Sequence, residues 1–188
     1  MGKCRYSYRH YGLRPLSGGT GIKGLKMKFC IAQKTDSESI MKLYKSMVGR
    51  EGVTWSDDYP SMETLIRDIS RENEFCLKDD DDKIVAAIAI DEDEEVDRLD
   101  VWNKSYKRAG ELARLAVRTD EQNNGIARKM IENVVDIMKE RSYDAVHFLA
   151  SKTNPPALAS YKKLDIPIVG EAVIYGENWW CYEKALKE

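Results

Sequence analysis

The residues whose types and spacing can do chemistry lie between Leu112 and Arg141. An apolar run, Leu112 to Val117 interrupted by Arg114, reads as a strand. A polar turn, Arg118 to Asn124, follows it. Beyond the turn, Ile126, Ala127, Met130, Ile131, Val134, Val135 and Met138 recur at helical spacing. Gly125 therefore stands at the mouth of a helix fed by a strand. The first amides of a helix have no carbonyl partners inside it and lie at the positive end of its dipole. Such a terminus suits an anion, a phosphate above all. Gly125 has no side chain, so a ligand can approach the backbone there. Ala127 obstructs little more. The pattern is neither the three-glycine dinucleotide fingerprint nor a Walker loop, because no Gly-Lys-Ser/Thr follows.

Taken together, Gln122-x-x-Gly125-x-Ala127 after Leu115-Ala116-Val117 resembles the acyl-CoA pyrophosphate loop of the GNAT superfamily, the acetyl-CoA-dependent N-acyltransferases. A second segment, Asn154-x-x-Ala157-x-x-x-Tyr161-Lys162-Lys163-Leu164, resembles the family's stretch after its fifth strand. There an Asn faces the cofactor and a Tyr faces the sulfur. The resemblance spans about residues 27 to 188. It implies an α+β fold, a mixed α/β sheet in the order β-α-α-β-β-β-α-β-α-β-β with strands four and five splayed. It also implies acetyl-CoA as co-substrate and a primary amine, on a small molecule or a peptide, as acceptor.

By that resemblance the backbone amides of Gln122, Asn123, Asn124, Gly125, Ile126 and Ala127 bind the pyrophosphate. The backbone of Leu115, Ala116 and Val117 pairs with the pantetheine arm as an added strand does. An amide near Val117 polarises the thioester oxygen. Tyr161 is the expected general acid, since a phenol with a pKa near ~10 can protonate a leaving thiolate; its other reading is a ring packed on a helix face. Asn154 holds the cofactor arm or caps a helix, and the two roles are compatible. Glu111 is the best-placed general base; otherwise it is a surface acid at a strand end. Arg114 either meets an acidic substrate group or pairs with an acid of the loop. Trp55 and Tyr59 lie on the loop that walls the acceptor pocket in relatives, and otherwise pack between helices. Relatives commonly carry Gly-Phe where Asp165-Ile166 stands, so the turn into the sixth strand departs from the pattern.

The elements that must position these residues follow from periodicity and punctuation. Lys28 to Ala32 reads as the first strand. Thr35-x-x-Glu38 is the expected capping box of a helix with Ile40, Leu43, Tyr44 and Met47 on one face. A loop from Gly49 to Pro60 leads to a second helix with Met62, Leu65, Ile66 and Ile69 inward. Phe75 to Leu77 and Ile84 to Ile90 are strands joined by the charged turn Asp79 to Lys83. The acid run Asp91 to Asp97 reads first as a solvated loop and second as a funnel for substrate. Ala145 to Leu149 is a buried strand. Pro155 and Pro156 suit the first turn of a helix through Leu164. Ile168 to Tyr175 and Trp179 to Lys184 pair across Gly176-Glu177-Asn178. The Trp179-Trp180 pair reads as exposed, either at a homodimer contact or as a plug in the core.

Composition limits the alternatives. The 188 residues include 43% hydrophobic and 33% charged, ordinary for a globular protein of one domain. No stretch approaches the roughly 20 apolar residues of a membrane span, and no secretory signal pattern is present. Cys4, Cys30, Cys76 and Cys181 lack metal spacing and read as free thiols in a reducing cytoplasm. His10 and His147 alone make a His-based zinc site improbable. Residues 1–26 carry six basic residues and no acid, and all 32 acids lie beyond them. That first segment reads as a tail or leader before a domain starting at Met27. An acidic body suits a cationic amine and argues against nucleic acid. Two other functions stay in view: a catalytically silent acyl-CoA sensor, and an N-terminal-peptide or RNA-associated acetyltransferase.

Overall fold

The computed structural model describes residues 27–187. The basic segment 1–26, with Cys4 and His10, and the reading of it as a tail lie outside the described residues. The chain runs β1 (Lys28–Ile31), α1 (Ser37–Lys45), α2 (Met62–Ser70), β2 (Glu74–Lys78), β3 (Ile84–Asp91), α3 (Glu94–Asp97), β4 (Ala109–Val117), α4 (Ile126–Glu140), β5 (Ala145–Ser151), α5 (Pro155–Tyr161), β6 (Ile168–Ile174) and β7 (Glu177–Ala185). The strands form a seven-stranded sheet in the order β1-β2-β3-β4-β5-β7-β6. Neighbours are antiparallel except β4 and β5, which run parallel. This is the mixed α+β architecture expected.

Period-two alternation assigns each face of the sheet to its helices. Phe29 and Ile31 join the core under α4, with Met130, Val134, Ile137 and Met138. Cys30 and Ala32, one residue out of phase, join the core under α1, with Ile40, Leu43 and Tyr44. β3 is covered on both sides and is buried along its whole length. Its alanines, Ala86, Ala87 and Ala89, let both helical layers approach. Each large side chain buried here contributes about 1.5–3 kcal/mol relative to exposure.

A bulge in β4 shapes everything that follows. Ala87 pairs with Ala116 and Ala89 with Ala113, so Arg114 and Leu115 both stand opposite Ile88. Arg114 has φ +54°. An extra residue of this kind bends the strand and deepens its twist. The parallel ladder to β5 contains only Ala109–Ala145, Gly110–Val146 and Glu111–His147. Beyond Glu111 the two strands part, while β5 stays paired to β7 through Ser151.

Several local expectations need correction. The first helical turn does not use Thr35 and Glu38: a 3-10 turn (Lys34–Asp36) intervenes, the Gln33 N–H donates to the Asp36 carboxylate at 2.9 Å, and α1 starts at Ser37. Met62 faces outward, and Asp68 takes the buried place beside Leu65. The acid run is not a plain loop. Asp91 closes β3, and Asp93 caps α3 by accepting the Glu95 and Val96 N–H groups. The β6–β7 turn is Tyr175-Gly176, both at positive φ, a two-residue hairpin that matches the twist of its strands. The tryptophans are half-buried, not exposed, and Trp180 packs on the main core. α5 ends at Tyr161, three residues before Leu164. Where the family pattern is broken, Ile166 is buried and Asp165 pairs with Lys184 at 2.6 Å. The Asp79–Lys83 segment is the hairpin turn expected, closed by Asp79 N–H to the Lys83 carbonyl at 3.0 Å. Cys30, Cys76 and Cys181 are buried, and the Cys30 and Cys76 sulfurs lie 3.6 Å apart.

Candidate active site

A cavity of about 960 Å³ occupies the opening between β4 and β5 and continues to the loops above α1 and α2. That is at the upper end of the size range for small-molecule sites. Every site residue expected from the sequence lines it except Asn124.

At one end the wall is main chain. The Arg118 N–H donates to the Val85 carbonyl at 2.8 Å. Groups along an antiparallel strand alternate between neighbours, so the Val117 backbone faces the other way, into the opening. Consistently, the Val117 carbonyl accepts from the Gln122 side chain at 3.0 Å. The polar turn then brings Asn123 (φ +63°) and Gly125 (φ +75°) to the head of α4. No side chain caps that helix. The amides that follow Gly125 therefore keep their donors for a ligand. A Cβ built on Gly125 meets nothing within 4 Å. The space a pyrophosphate needs is present, and the residues fit acetyl-CoA.

At the other end the wall is side chain. Arg114, 4% exposed at the bulge, donates to Asp68 at 2.7 Å and to Asp91, and reaches the Tyr59 hydroxyl at 3.2 Å. Arg67 adds contacts to Asp68 at 3.3 Å and Asp91 at 3.1 Å. Arg114 does pair with an acid of the acid run, Asp91, and also with Asp68 of α2, which the sequence reading did not include. Burial pushes the Asp91 carboxyl up, but the Arg114 hydrogen bond and charge outweigh it and hold Asp91 below its usual range. Glu111 sits beside this cluster, opposite Asp91 in the ladder. It is 7% exposed, and one carboxylate oxygen is buried with no hydrogen-bond partner among the described residues. Burial first, then the charge of Asp91, drives its pKa well above the usual carboxylate value. Trp55 packs edge-on to Tyr44 at 5.4 Å and still faces the cavity.

Tyr161 and Asn154 close the third side. The Tyr161 ring packs against Phe148 at 5.1 Å and Tyr182 at 6.0 Å, and its hydroxyl has no hydrogen-bond partner among the described residues. Burial pushes its pKa up to about 12, with Tyr182 adding to the effect. Tyr161 is thus a fully protonated donor at neutral pH. Asn154 does cap α5, accepting the Ala157 N–H at 3.1 Å, and also lines the cavity. Gly52 packs so tightly on the chain at Asn154 that an added Cβ would lie 2.5 Å from Asn154 Cα. The loop before α2 is thereby tied to the β5–α5 turn.

Residues outside the expected site set also reach the cavity: Gly52, Asp91, Asp93, Tyr175, Glu177 and Trp179. The acid run had flagged Asp91 and Asp93, and the funnel was its second reading. Nothing local in the sequence signals Tyr175, whose hydroxyl donates to Asp93 across 82 residues of chain at 2.7 Å. Among the described residues no group of His, Cys, Asp and Glu is arranged for a metal, and no helix is long and apolar enough to cross a membrane.

The model of the Acetyltransferase (GNAT) family matches residues 39–166. Comparison with curated proteins finds no relative. Among solved structures, an N-acetyltransferase from Staphylococcus aureus Mu50 is similar with a TM-score of 0.68 at 14% identity, covering 86% of this chain and 99% of that one. The ribosomal-protein-S18-alanine N-acetyltransferase from Escherichia coli gives 0.63 at 15% identity, covering 86% and 95%. The yncA protein of Salmonella typhimurium, solved with its cofactor acetyl-CoA, gives 0.68 at 13% identity, covering 87% and 95%. At these identities the likeness speaks for the fold. The family match, over more than half the chain and on a splayed sheet with an uncapped helix mouth, gives the assignment: the chain belongs to the GNAT acetyltransferase family, and is an acyltransferase whose co-substrate is acetyl-CoA.

Proposed function

We propose that the protein is an N-acetyltransferase that moves the acetyl group of acetyl-CoA to a primary amine by direct attack, with residues 27–188 as the catalytic domain. The observation that carries this reading is the pairing of an opened β4–β5 edge with an orphaned, buried carboxylate on the same cavity wall. Acetyl-CoA supplies the activated acyl carbon when bound. The backbone of Leu115, Ala116 and Val117 and the amides from Gln122 to Ala127 hold and orient it, with Asn154 beside the arm. Holding two reactants at contact distance removes much of the entropic barrier.

Glu111 takes the proton from the arriving ammonium, directly or through water. The Val117 N–H receives the carbonyl oxygen as negative charge builds on it. The new C–N bond forms as the C–S bond breaks, and Tyr161 gives its proton to the leaving sulfur. Trp55 and Tyr59 wall the acceptor side; Arg114 positions Tyr59. A cytoplasmic location fits the buried thiols of Cys76 and Cys181.

The test is thiol release from acetyl-CoA in the presence of amines, with acetylated product measured in parallel. Matched release and product, with a loss of about tenfold or more in kcat for Tyr161→Phe, is the expected result. Tight acetyl-CoA binding without transfer to any amine would instead indicate a silent sensor.

A further inference from the structure

We infer that the acceptor is a short aliphatic diamine or polyamine, whose second ammonium is held between Asp93 and Glu177 while the reacting amine meets Glu111. The inference rests on the N-acetyltransferase reading and concerns which amine that site takes.

Among the described residues the charges on the cavity wall do not balance. Asp91 is matched by Arg114 and Arg67, and Glu121 by Arg118. Among the described residues Glu51, Asp93, Glu111 and Glu177 form no ion pair, although all four line the cavity. On the same wall Arg114 is committed to Asp68 and Asp91, and among the described residues Arg50 is the remaining cation. The reacting ammonium answers Glu111 alone, because its proton is what Glu111 takes. Even with Arg50 counted, negative charge is left over. A monoamine leaves it unmatched, and an amino acid adds to it.

Glu111 itself points to a cationic ligand, since it is nine-tenths buried and its orphaned oxygen has no donor among the described residues. Asp91, Asp93 and Asp97 all act on it with the same sign. The wall also presents Trp55, Tyr59, Tyr175 and Trp179. Aromatic faces beside carboxylates bind ammonium groups by cation–π attraction.

The site is built for something small. The Tyr175 hydroxyl bonds Asp93 and joins the β6–β7 turn to the loop after β3. Gly52 against Asn154 joins the opposite walls. Walls tied together by two such bridges favour a slender chain over a folded partner.

The experiment compares three acceptors with the same reacting group: 1,4-diaminobutane, butylamine and 4-aminobutanoate. With the full chain and saturating acetyl-CoA, kcat/KM should fall in that order, by about tenfold per step, the scale of one well-placed charge pair. Glu177→Gln and Asp93→Asn should each cut the preference for the diamine over butylamine by about tenfold. Calorimetric binding of acetyl-CoA reports that each variant is folded. If butylamine or 4-aminobutanoate matches the diamine, the inference fails and the transferase reading stands. If the preference persists in both variants, the placement of the second ammonium is wrong. If no amine is acetylated while acetyl-CoA binds, both readings fall.

Discussion

The two ends of the cavity are built by different means. The end between β4 and β5 offers main-chain groups: the Val117 backbone turned into the opening, and the uncapped first turn of α4 behind Gly125. The end under the α1–α2 loop offers side chains held by one another: Arg114 with Asp68 and Asp91, Tyr59 on Arg114, and Tyr175 on Asp93. Main-chain donors tolerate substitution as long as the backbone keeps its path. A charged side-chain cluster does not, because losing one member strands the others. The first end therefore suits a ligand shared across a family, and the second a ligand peculiar to this chain.

Substitutions can break this contrast or sharpen it. The largest effect is expected from Arg114→Met. It leaves Asp68 and Asp91 with Arg67 alone and should cost about 3–5 kcal/mol of stability in urea unfolding. Acetyl-CoA affinity in the folded fraction should lose far less than stability does. Gly125→Glu should do the reverse. A side chain at φ +75° is strained, and its charge would face the pyrophosphate. Calorimetry should show acetyl-CoA affinity reduced about 100-fold, with the unfolding midpoint shifted little by the roughly 1–2 kcal/mol of strain. If both variants lose affinity and stability equally, the two ends are one unit and the contrast is wrong.

Glu111→Gln addresses the boundary between the ends and should lower kcat by about 100-fold. Its carboxyl titrates above the usual range because of burial and then Asp91. Activity of the parent should fall as pH drops through that raised value, since a protonated base cannot accept the amine's proton. The variant should lack this acidic limb. An unchanged pH profile would free Glu111 of the role.

Glu74→Gln should have the smallest effect. Glu74 is fully buried, accepts from the Tyr44 hydroxyl at 2.6 Å, and its other oxygen has no partner among the described residues. Burial pushes its pKa from 4.5 to about 8, the Tyr44 bond offsetting only part. The folded state thus holds a proton that the unfolded chain gives up. The associated stability is full below 4.5 and is lost as pH rises through about 8. Thermal midpoints of the parent should decline across that window, and those of the variant should decline less. Equal slopes would assign the proton elsewhere.

The same division explains what could be read from the chain before its structure. The main-chain end is local. A strand, a polar turn, one glycine and a helical stripe lie within Leu112 to Met138, and their periods identify them. The splay of β4 from β5 came from the family resemblance, and its physical cause, the bulge at Arg114, shows in sequence only as a charge interrupting an apolar run. The side-chain end is assembled from residues far apart: 46 positions separate Arg114 from Asp68, and 82 separate Tyr175 from Asp93. No periodicity marks such pairs. Asp68 even occupies a helix position where the stripe of Met62, Leu65, Ile66 and Ile69 promised an apolar residue. Its burial makes sense only once Arg114 is in place.

Backbone amide exchange, measured with and without acetyl-CoA, tests the central claim most directly. Saturating acetyl-CoA should slow exchange at the amides that face the opening from Leu115 to Val117 and at those following Gly125, with much smaller changes across β1 and β2. Tight binding that leaves both segments exchanging as in the free protein would place the ligand elsewhere and contradict the account.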